Sequence, residues 1–384
     1  MPTYLTPGVH INEITTTPPP ITGVATAITA FVDVFVQGPL QQPVNINSPA
    51  EFEAAFGATN TCPASHGIRH FFANGGQTAW MVRIPGGVAT AAEVIGAADA
   101  HSGLHALDSV DLFNILCLPC AVELPDADMQ AIYTAALNYC TARRAFLIVD
   151  IPATVNTPTS MRAWLTQHAT LCQRSAAVYF PRLTMKPRRL SKRIHTAAAS
   201  GAIAGLYART DATRGVWKAP AGTEADLRGL NGLAYALTDT DIDTLNPIGV
   251  NALRSLASGV PVCWGARTLT NNDPEWKYIP VRRLALYIET SLERGLTWAV
   301  FEPNDEPLWI KLRGVTENFL AQLFRQGAFI GNRPDDAYFV RVDRTTMTQD
   351  DIDTGRLNIL IGFAPLRPAE FVIVRIRLSC DSAP

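Results

Sequence analysis

Two cysteines spaced as Cys117-x-x-Cys120 are the first residues whose types and spacing could do chemistry. Such a pair occurs in redox centres and supplies half of many structural zinc sites. A structural zinc needs a second pair of cysteine or histidine ligands at suitable spacing, and none is evident in the sequence. The pair also lies in the apolar stretch of residues 112–120, which favours buried, reduced thiols. We therefore expect neither zinc nor redox chemistry here.

Two pairs of histidines are spaced four residues apart, which on a helix would put both rings on one face. They are His66 with His70, and His101 with His105. Neither pair belongs to an HExxH motif or has an assignable third ligand, so surface or hydrogen-bonded histidines are the favoured interpretation. We expect no metal and no cofactor.

Asp150 is the best single candidate for an enzymatic acid, because it directly follows the apolar strand predicted at residues 145–149. The sequence contains no GxxxxGK[ST] or GxGxxG loop that could cradle a phosphate, and no GxSxG nucleophile elbow. A lone carboxylate without a base or a nucleophile is weak support for catalysis. We expect a protein that is not an enzyme, and keep an α/β enzyme using Asp150 as the least favoured alternative.

A basic run at residues 186–193 (KPRRLSKR) is the densest cluster of charge. It contains no interleaved aromatics for stacking on bases, so we interpret it as a loop that could meet an acidic surface on a neighbour. The formal net charge of −2 gives no overall attraction to nucleic acid or anionic lipid. No apolar run approaches the ~20 residues of a membrane span, and no secretory signal is visible. We expect neither a nucleic-acid nor a membrane partner.

The helices and strands predicted along the chain indicate a mixed α/β and α+β fold. Buried strands alternate with amphipathic helices through residues 112–180, which predicts an inserted α/β domain with a parallel sheet. Beyond residue 202 the composition favours loops, followed by helices at 280–294 and 307–324 and strands at 297–301, 337–343 and 356–363. The expected divisions are 1–20, an N-terminal strand arm and proline linker; 21–85, the first part of an α+β core; 86–200, the outer α/β domain; 201–364, the second part of the core; and 365–384, a C-terminal strand arm.

Both ends of the chain have the pattern of β-strands without a local partner. Residues 9–14 alternate briefly and are followed by the proline run Pro18, Pro19 and Pro20, which favours a stiff extended rod. Residues 371–378 alternate over their whole length. Strands held at chain ends predict pairing with other copies. The two faces of the C-terminal segment are Val372, Val374, Ile376 and Leu378, and Phe371, Ile373, Arg375 and Arg377.

A series of motifs in fixed order closely resembles the tail sheath protein of contractile bacteriophage tails and phage-tail-like bacteriocins. The resemblance covers nearly the whole chain and has one departure, Ala198-Ala199-Ser200-Gly201, where similar sheaths carry Pro-Pro-Ser-Gly. The matching stretches are residues 4–9 (YLTPGV), 201–211 (GAIAGLYARTD), 214–222 (RGVWKAPAG), 245–251 (LNPIGVN), 264–269 (WGARTL), 275–278 (EWKY), 282–283 (RR), 300–305 (VFEPND), 327–331 (GAFIG) and 364–371 (APLRPAEF).

The resemblance implies a structural subunit that polymerises as stacked rings, expected to be hexameric, around an inner tube. Contraction would then drive the tube through a target cell envelope. The implied partners are further copies of the chain, the inner tail tube protein, and the baseplate and tail terminator proteins. Assembly would take place in the bacterial host cytoplasm, giving a component of a virion tail or of a released tail-like particle. A non-contractile shell or adhesion polymer that exchanges arms is the alternative.

The same resemblance assigns expected roles to particular residues. Strand exchange between subunits would use Val9, Ile11, Glu13, Phe371, Val372, Val374, Ile376 and Leu378. Tethers or hinges would be Pro18, Pro19, Pro20, Pro365 and Pro368. The cationic side chains of the helix at 307–324 and its end, Lys311, Arg313 and Arg325, are candidates for contact with the inner tube.

Overall fold

The structure is a computed structural model that describes residues 18–58, 62–185, 195–270 and 273–370. The chain forms two compact units. Of the described residues, the larger unit contains 24–290 and 365–370, and the smaller unit contains 18–23 and 291–364. Each unit is considered by itself.

The bounds of the secondary structure follow the chain in order. The strands are β1 Thr29–Asp33, β2 Pro43–Ile46, β3 Ala79–Arg83, β4 Ile115–Cys117, β5 Phe146–Val149, β6 Ala176–Phe180, β7 Leu183–Met185, β8 His195–Ala197, β9 Gly232–Leu233, β10 Val250–Ser255, β11 Pro261–Cys263, β12 Tyr338–Arg341 and β13 Leu360–Phe363. The helices are α1 Pro49–Phe56, α2 Pro63–Ala73, α3 Ala91–Ile95, α4 Asp126–Ala142, α5 Pro158–Gln167, α6 Ser200–Arg214, α7 Asp239–Leu245, α8 Ile279–Gly295, α9 Glu306–Arg325, α10 Pro334–Ala337 and α11 Gln349–Asp353.

The larger unit is built on an eight-stranded sheet with the order β11-β10-β6-β5-β4-β1-β3-β2. The six central strands run parallel, whereas β11 and β2 pair antiparallel at the two edges. The predicted parallel sheet of an α/β domain is therefore confirmed, and it is wider than the three strands expected at residues 112–180. A separate three-stranded antiparallel sheet has the order β8-β7-β9.

Helices cover both faces of the large sheet, as an almost entirely parallel sheet requires. Successive strand residues point to opposite faces, so each face has its own buried cluster. One cluster includes Ala30, Val32, Leu116, Leu147, Val149, Val178 and Phe180, with apolar residues of α3, α4 and α5. The other includes Phe31, Ile115, Cys117, Phe146, Ile148, Ala177 and Tyr179, with apolar residues of α1, α2, α6 and the start of α8.

Helices α2 and α6 pass each other with almost no side chain between them. A Cβ atom built on Gly201 would lie 2.1 Å from the carbonyl oxygen of Gly67, and one on Gly205 would lie 2.3 Å from that of Phe71. Both distances are far below van der Waals contact. Glycine is therefore required at positions 201 and 205 for these two helices to approach so closely.

The smaller unit consists of the end of α8, the 20-residue helix α9, and the short elements α10, β12, α11 and β13. The Asp305 carboxylate caps α9 by accepting a hydrogen bond of 3.0 Å from the Leu308 N–H. One face of α9 buries Leu308, Leu312, Phe319 and Leu323. The helix predicted at 307–324 is therefore confirmed.

Two predicted elements are wrong. The loops expected beyond residue 202 contain α6, whose first nine residues are all buried and so show no amphipathic period. The strand expected at 297–301 is a single 3₁₀ turn, Thr297–Ala299, followed by an exposed loop.

The division of the chain also differs from the expected one. No break occurs near residue 85, because β1 pairs with β3 on one side and with β4 on the other. The strands of residues 21–85 therefore belong to the same sheet as those of the expected outer domain. In the described part of the chain, no helix has both the length and the apolar character needed to span a membrane.

Candidate assembly surfaces

The smaller unit carries a two-stranded antiparallel sheet whose outer edges meet no other strand among the described residues. In it β12 pairs with β13, from Tyr338 opposite Phe363 to Arg341 opposite Leu360. Outer edges of this kind present backbone N–H and C=O groups that can pair with a further strand. A sheet of two strands is also only marginally stable in water. The arrangement can accept a strand at either edge.

The two faces of this sheet differ. The inner face packs on the unit, with the ring of Phe329 6.1 Å from that of Tyr338 and 5.5 Å from that of Phe363. The outer face keeps Phe339 45% exposed and Leu360 49% exposed, and the Arg341 guanidinium lies 5.1 Å over the Phe339 ring. Exposed apolar residues beside open edges are typical of a surface that is covered in an assembly.

The start of the C-terminal segment is held to the larger unit by Glu370. Its carboxylate accepts hydrogen bonds of 2.8 Å from Nε and 2.5 Å from Nη2 of Arg267, a bidentate pair. The Tyr278 hydroxyl donates a third bond of 3.3 Å. Burial raises the pKa of Glu370, but the Arg267 hydrogen bonds and charge outweigh it and the net pKa is lowered. We call this group, Arg267 with Glu370, the carboxyl-end clamp.

The proline run near the other end joins the smaller unit through Ile21. Pro19 and Pro20 are exposed, and Ile21, which follows them, is 5% exposed. A Cβ atom on Gly295 would lie 2.8 Å from Cγ1 of Ile21, so the glycine leaves the room that the isoleucine fills. The two predicted tethers therefore begin on different units. Sequence reasoning missed both anchors.

Helix α9 does not gather its three cations into one patch. Lys311, Arg313 and Arg325 are all exposed. With 3.6 residues per turn, Lys311 and Arg313 point about 160° apart around the axis. Arg325 lies within about 40° of the direction of Lys311 but about 21 Å further along the helix. Arg313 is instead 3.8 Å from Glu317 on its own flank.

The Asp150 side chain has a structural role at the carboxyl end of β5. It is 2% exposed, and its Oδ1 accepts a 2.9 Å hydrogen bond from the Ser200 N–H at the start of α6. Asp33, at the end of β1, accepts a 2.7 Å bond from the Ala64 N–H at the start of α2. The two carboxylates thus cap the two helices that cross at Gly67 and Gly201. Burial raises the pKa of Asp150.

The cysteine and histidine pairs do not form a metal site within the described residues. Cys117 and Cys120 are buried thiols whose pKa values are raised well above the ordinary value by burial. His70 lies on α2 and is fully buried, and burial lowers its pKa to about 4. Only His105 lies in the 3₁₀ turn Gly103–Ser109, so His101 and His105 do not share the face of one helix.

Several predicted residues lie outside the described parts of the chain. They are the strand-exchange residues Val9, Ile11, Glu13, Phe371, Val372, Val374, Ile376 and Leu378, and the basic run at 186–193. Of the predicted tether residues, Pro18, Pro19, Pro20, Pro365 and Pro368 are described. The last two flank exposed Leu366 and Arg367, between the end of the smaller unit and the carboxyl-end clamp.

Two family models match consecutive parts of the chain. Residues 93–269 match the phage tail sheath protein central domain, and residues 271–379 match the phage tail sheath C-terminal domain. A curated relative, the tail sheath protein of Vibrio phage KVP40, is 34% identical over 108 residues. That alignment spans 28% of this chain and 16% of the phage protein.

Solved structures match the chain over almost its whole length. The sheath of an extracellular contractile injection system, PVC, in its contracted state is 30% identical, with a TM-score of 0.80 and 98% of each chain covered. The helical sheath of the anti-feeding prophage in its contracted state is also 30% identical, with a TM-score of 0.78. There, 98% of this chain and 99% of that chain are covered.

Proposed function

Because this chain belongs to the tail sheath family of contractile phage tails and related injection systems, we propose that it is the repeating structural subunit of a contractile sheath. The observation that carries the proposal is the match to a contracted injection-system sheath over 98% of both chains. Subunits polymerise as stacked rings, hexameric in the proposal, around an inner tube. The sheath then shortens and drives the tube through a target cell envelope. The subunit is assembled in the bacterial host cytoplasm and becomes part of a virion tail or tail-like particle.

Neighbouring subunits are joined by strand addition to the sheet of β12 and β13. The support is a two-stranded sheet with two open edges in the described chain, and two alternating segments, 9–14 and 371–378, at the chain ends. Main-chain hydrogen bonds supply affinity in such contacts and alternating side chains supply specificity. Because the donor and acceptor surfaces differ, the contact repeats without closing and produces a helical polymer.

The tethers let the globular units move while the strand contacts persist. At the amino end, Pro18, Pro19 and Pro20 form a stiff spacer whose inner end is fixed by Ile21. At the carboxyl end, Pro365 and Pro368 lie in a five-residue linker that ends at the carboxyl-end clamp. The extended sheath is a metastable arrangement, and its rearrangement into a tighter lattice supplies the work of contraction without nucleotide hydrolysis.

Contact with the inner tube is made through the side of α9 that carries Lys311 and Arg325. Their alignment along one side of the helix suits a row of acidic groups on the tube, and such contacts weaken with salt. Charge reversal at both positions should lower tube co-sedimentation strongly at low salt, whereas Arg313→Glu, on the opposite flank, should change it little. Equal losses in both variants would contradict this orientation. The baseplate and tail terminator proteins are the remaining proposed partners.

Negative-stain microscopy of the purified chain tests the proposal as a whole. A sheath subunit should form hollow cogged tubes, whereas an enzyme would appear as discrete particles. A non-contractile polymer would form filaments whose axial rise per subunit is the same under all conditions. Variants lacking residues 1–20, or residues 368–384, should remain soluble globular monomers. Normal tubes from either truncated chain would refute strand exchange as the organising contact.

A further inference from the structure

A concave site of about 320 Å³ lies on the larger unit, between the last turns of α6 and the segment that follows this helix. Four cationic side chains line it, Arg209, Arg214, Lys218 and Arg228, and Glu224 is its acidic lining residue. We call this site the basic pocket. Charges of one sign gathered in a concave site strengthen one another's field and attract ions of the opposite sign.

The segment that forms one wall of the basic pocket is fixed to the edge of the large sheet. The Gly222 N–H donates a 2.9 Å hydrogen bond to the Cys263 carbonyl, and the Cys263 N–H donates a 3.0 Å bond to the Ala225 carbonyl. The Leu227 N–H donates a 2.8 Å bond to the Pro261 carbonyl. Because the opposite wall is a helix, both walls are held by backbone hydrogen bonds. The pocket is therefore formed before any ligand binds, as small-molecule sites usually are.

The inner wall of the basic pocket holds an arginine whose hydrogen bonds are incomplete. The Arg209 side chain is 16% exposed, and its Nη2 donates a 3.0 Å bond to Oδ1 of Asp226. Its Nη1 is buried and has no hydrogen-bond partner in the parts of the chain that the structure describes. Burial lowers the pKa of Arg209, the Asp226 carboxylate opposes this shift, and the charge of Arg228 adds to it. An added negative charge would favour the charged form of this guanidinium.

The carboxylates around the basic pocket neutralise only part of its positive charge. Asp226 is shared by two of the guanidiniums, and Glu224 lies 2.9 Å from that of Arg214. Lys218 takes part in no ion pair among the described residues, and its ammonium donates a 3.0 Å bond to the Ala219 carbonyl. Four cations thus face two carboxylates, an excess of two positive charges. The carboxyl end of α6 supplies about half a negative charge, so more than one positive charge remains.

The charge and the donors of the basic pocket suit a phosphate group better than a carboxylate. A phosphate group carries about −1.5 to −2 charges at neutral pH and offers three strong acceptor oxygens, whereas a carboxylate carries one charge and two oxygens. Lys218 has two further ammonium N–H groups to donate, and the guanidiniums of Arg214 and Arg228 have N–H groups beyond those bonded to carboxylates. The volume of about 320 Å³ leaves room for a small group attached to the phosphate.

We propose that the basic pocket binds a phosphate group, either inorganic phosphate or the phosphate of a small metabolite. Lys218, Arg214 and Arg228 donate hydrogen bonds to its oxygens, and Arg209 supplies positive charge from the inner wall. The bound group then links the end of α6 to the segment that is bonded to β11. This site goes beyond the proposed sheath function and does not depend on polymerisation, so the dilute, unassembled chain should bind phosphate.

Titration calorimetry of the dilute chain with inorganic phosphate, at an ionic strength held constant with sodium chloride, tests the site. One saturable site per chain is expected. Lys218→Gln removes a cation that has no carboxylate partner, so the thermal midpoint without phosphate should stay unchanged while the Kd for phosphate rises at least about tenfold. Lys218→Arg keeps the charge and should retain most of the affinity. Arg162→Gln, which removes an exposed cation of α5 outside the pocket, is the matched control and should leave the Kd unchanged.

Hydrogen exchange measured with and without phosphate locates the binding. Slower exchange of the backbone amides at residues 215–228 is expected in the wild type and should be absent in Lys218→Gln at the same phosphate concentration. Equal phosphate affinity in the wild type and Lys218→Gln, or protection confined to other segments, would overturn the proposal. So would the lack of any saturable binding, because the excess charge would then only be screened by salt.

Two further ligands identify the chemical source of the bound group. Glycerol 3-phosphate that binds more tightly than inorganic phosphate would support a phosphorylated metabolite, and equal affinity would support inorganic phosphate. Acetate that binds as tightly as inorganic phosphate would overturn the choice of a phosphate group. In that case the pocket would be assigned to carboxylate side chains of a second copy of the chain.

Discussion

Replacing Glu370 by glutamine tests whether the C-terminal segment is fixed to the larger unit. The substitution keeps the size and shape of the side chain but removes its charge and one of the two oxygens that accept from Arg267. Those bonds are 2.8 and 2.5 Å long, and the Arg267 side chain is only 10% exposed. The guanidinium would keep its 2.8 Å bond to the Asn246 carbonyl and lose its counter-charge.

The expected cost follows from the burial of the pair. Removing one partner of a fully buried ion pair costs about 3–5 kcal/mol. The Glu370 side chain is 17% exposed and glutamine still accepts one hydrogen bond, so we expect about 2–3 kcal/mol for Glu370→Gln. The same substitution at Glu224 breaks its 2.9 Å contact with Arg214, where both side chains are more than half exposed, and should cost no more than about 0.5 kcal/mol.

Urea unfolding of the dilute, unassembled chain measures the difference. Glu370→Gln should lower the midpoint by at least about 0.5 M, and Glu224→Gln should leave it nearly unchanged. The pKa of Glu370 is lowered from its ordinary value of 4.5, so its stabilisation is complete above that value and is lost as the pH falls through the lowered pKa. The wild type and Glu370→Gln should therefore converge in acid. Identical midpoints for both glutamine variants at neutral pH would refute the clamp.

Two further predictions concern the larger unit and α9. Gly201→Ala should destabilise the chain by several kcal/mol, because its methyl group would lie 2.1 Å from the Gly67 carbonyl oxygen. Gly314→Ala, which has nothing within 4 Å of the added methyl group, should raise stability by about 1 kcal/mol. Calorimetry in which the thermal midpoints of both variants shift in the same direction would contradict the helix crossing. Burial raises the pKa of Asp33 to about 6, so stability rises as the pH falls from 6 to 4, while the pKa of His70, lowered to about 4, makes stability fall between pH 6.5 and 4. Each effect is about 3 kcal/mol. On acidification, His70→Gln should therefore gain stability relative to the wild type and Asp33→Asn should lose it. If the unfolding free energies of both variants followed that of the wild type at every pH, the two pKa shifts would be refuted.

The parallel sheet and the long helices of this chain follow from hydrophobic periodicity. The stripe of Leu308, Leu312, Phe319 and Leu323 identifies α9, and the apolar runs around β5 and β6 identify buried strands. Hydrophobic periodicity does not identify helix α6. Its first half is buried on all sides, so its sequence has no polar face. In the sequence Gly201 and Gly205 favour a loop, whereas in the structure they allow the close approach of α2.

Contacts between residues that are far apart in the sequence could not be predicted from local motifs. Arg267 and Glu370 lie in motifs shared with tail sheaths, but they are 103 positions apart and nothing in either motif indicates the pair. Phe301 lies in a run of Thr, Trp, Ala, Val and Phe that favours a strand by propensity. The turn at Thr297–Ala299 instead leaves the Phe301 side chain fully exposed.

The placement of the two anchors has a mechanical consequence. Ile21 fixes the amino-end spacer to the smaller unit, and Glu370 fixes the carboxyl-end segment to the larger one. A force applied by neighbouring subunits through these two ends therefore acts on both units of the subunit. The backbone passes from one unit to the other at residues 23–24, 290–291 and 364–365. In the proposed assembly, where neighbours are joined through these ends, the subunits are connected in series, and each one transmits to the next the force that it receives.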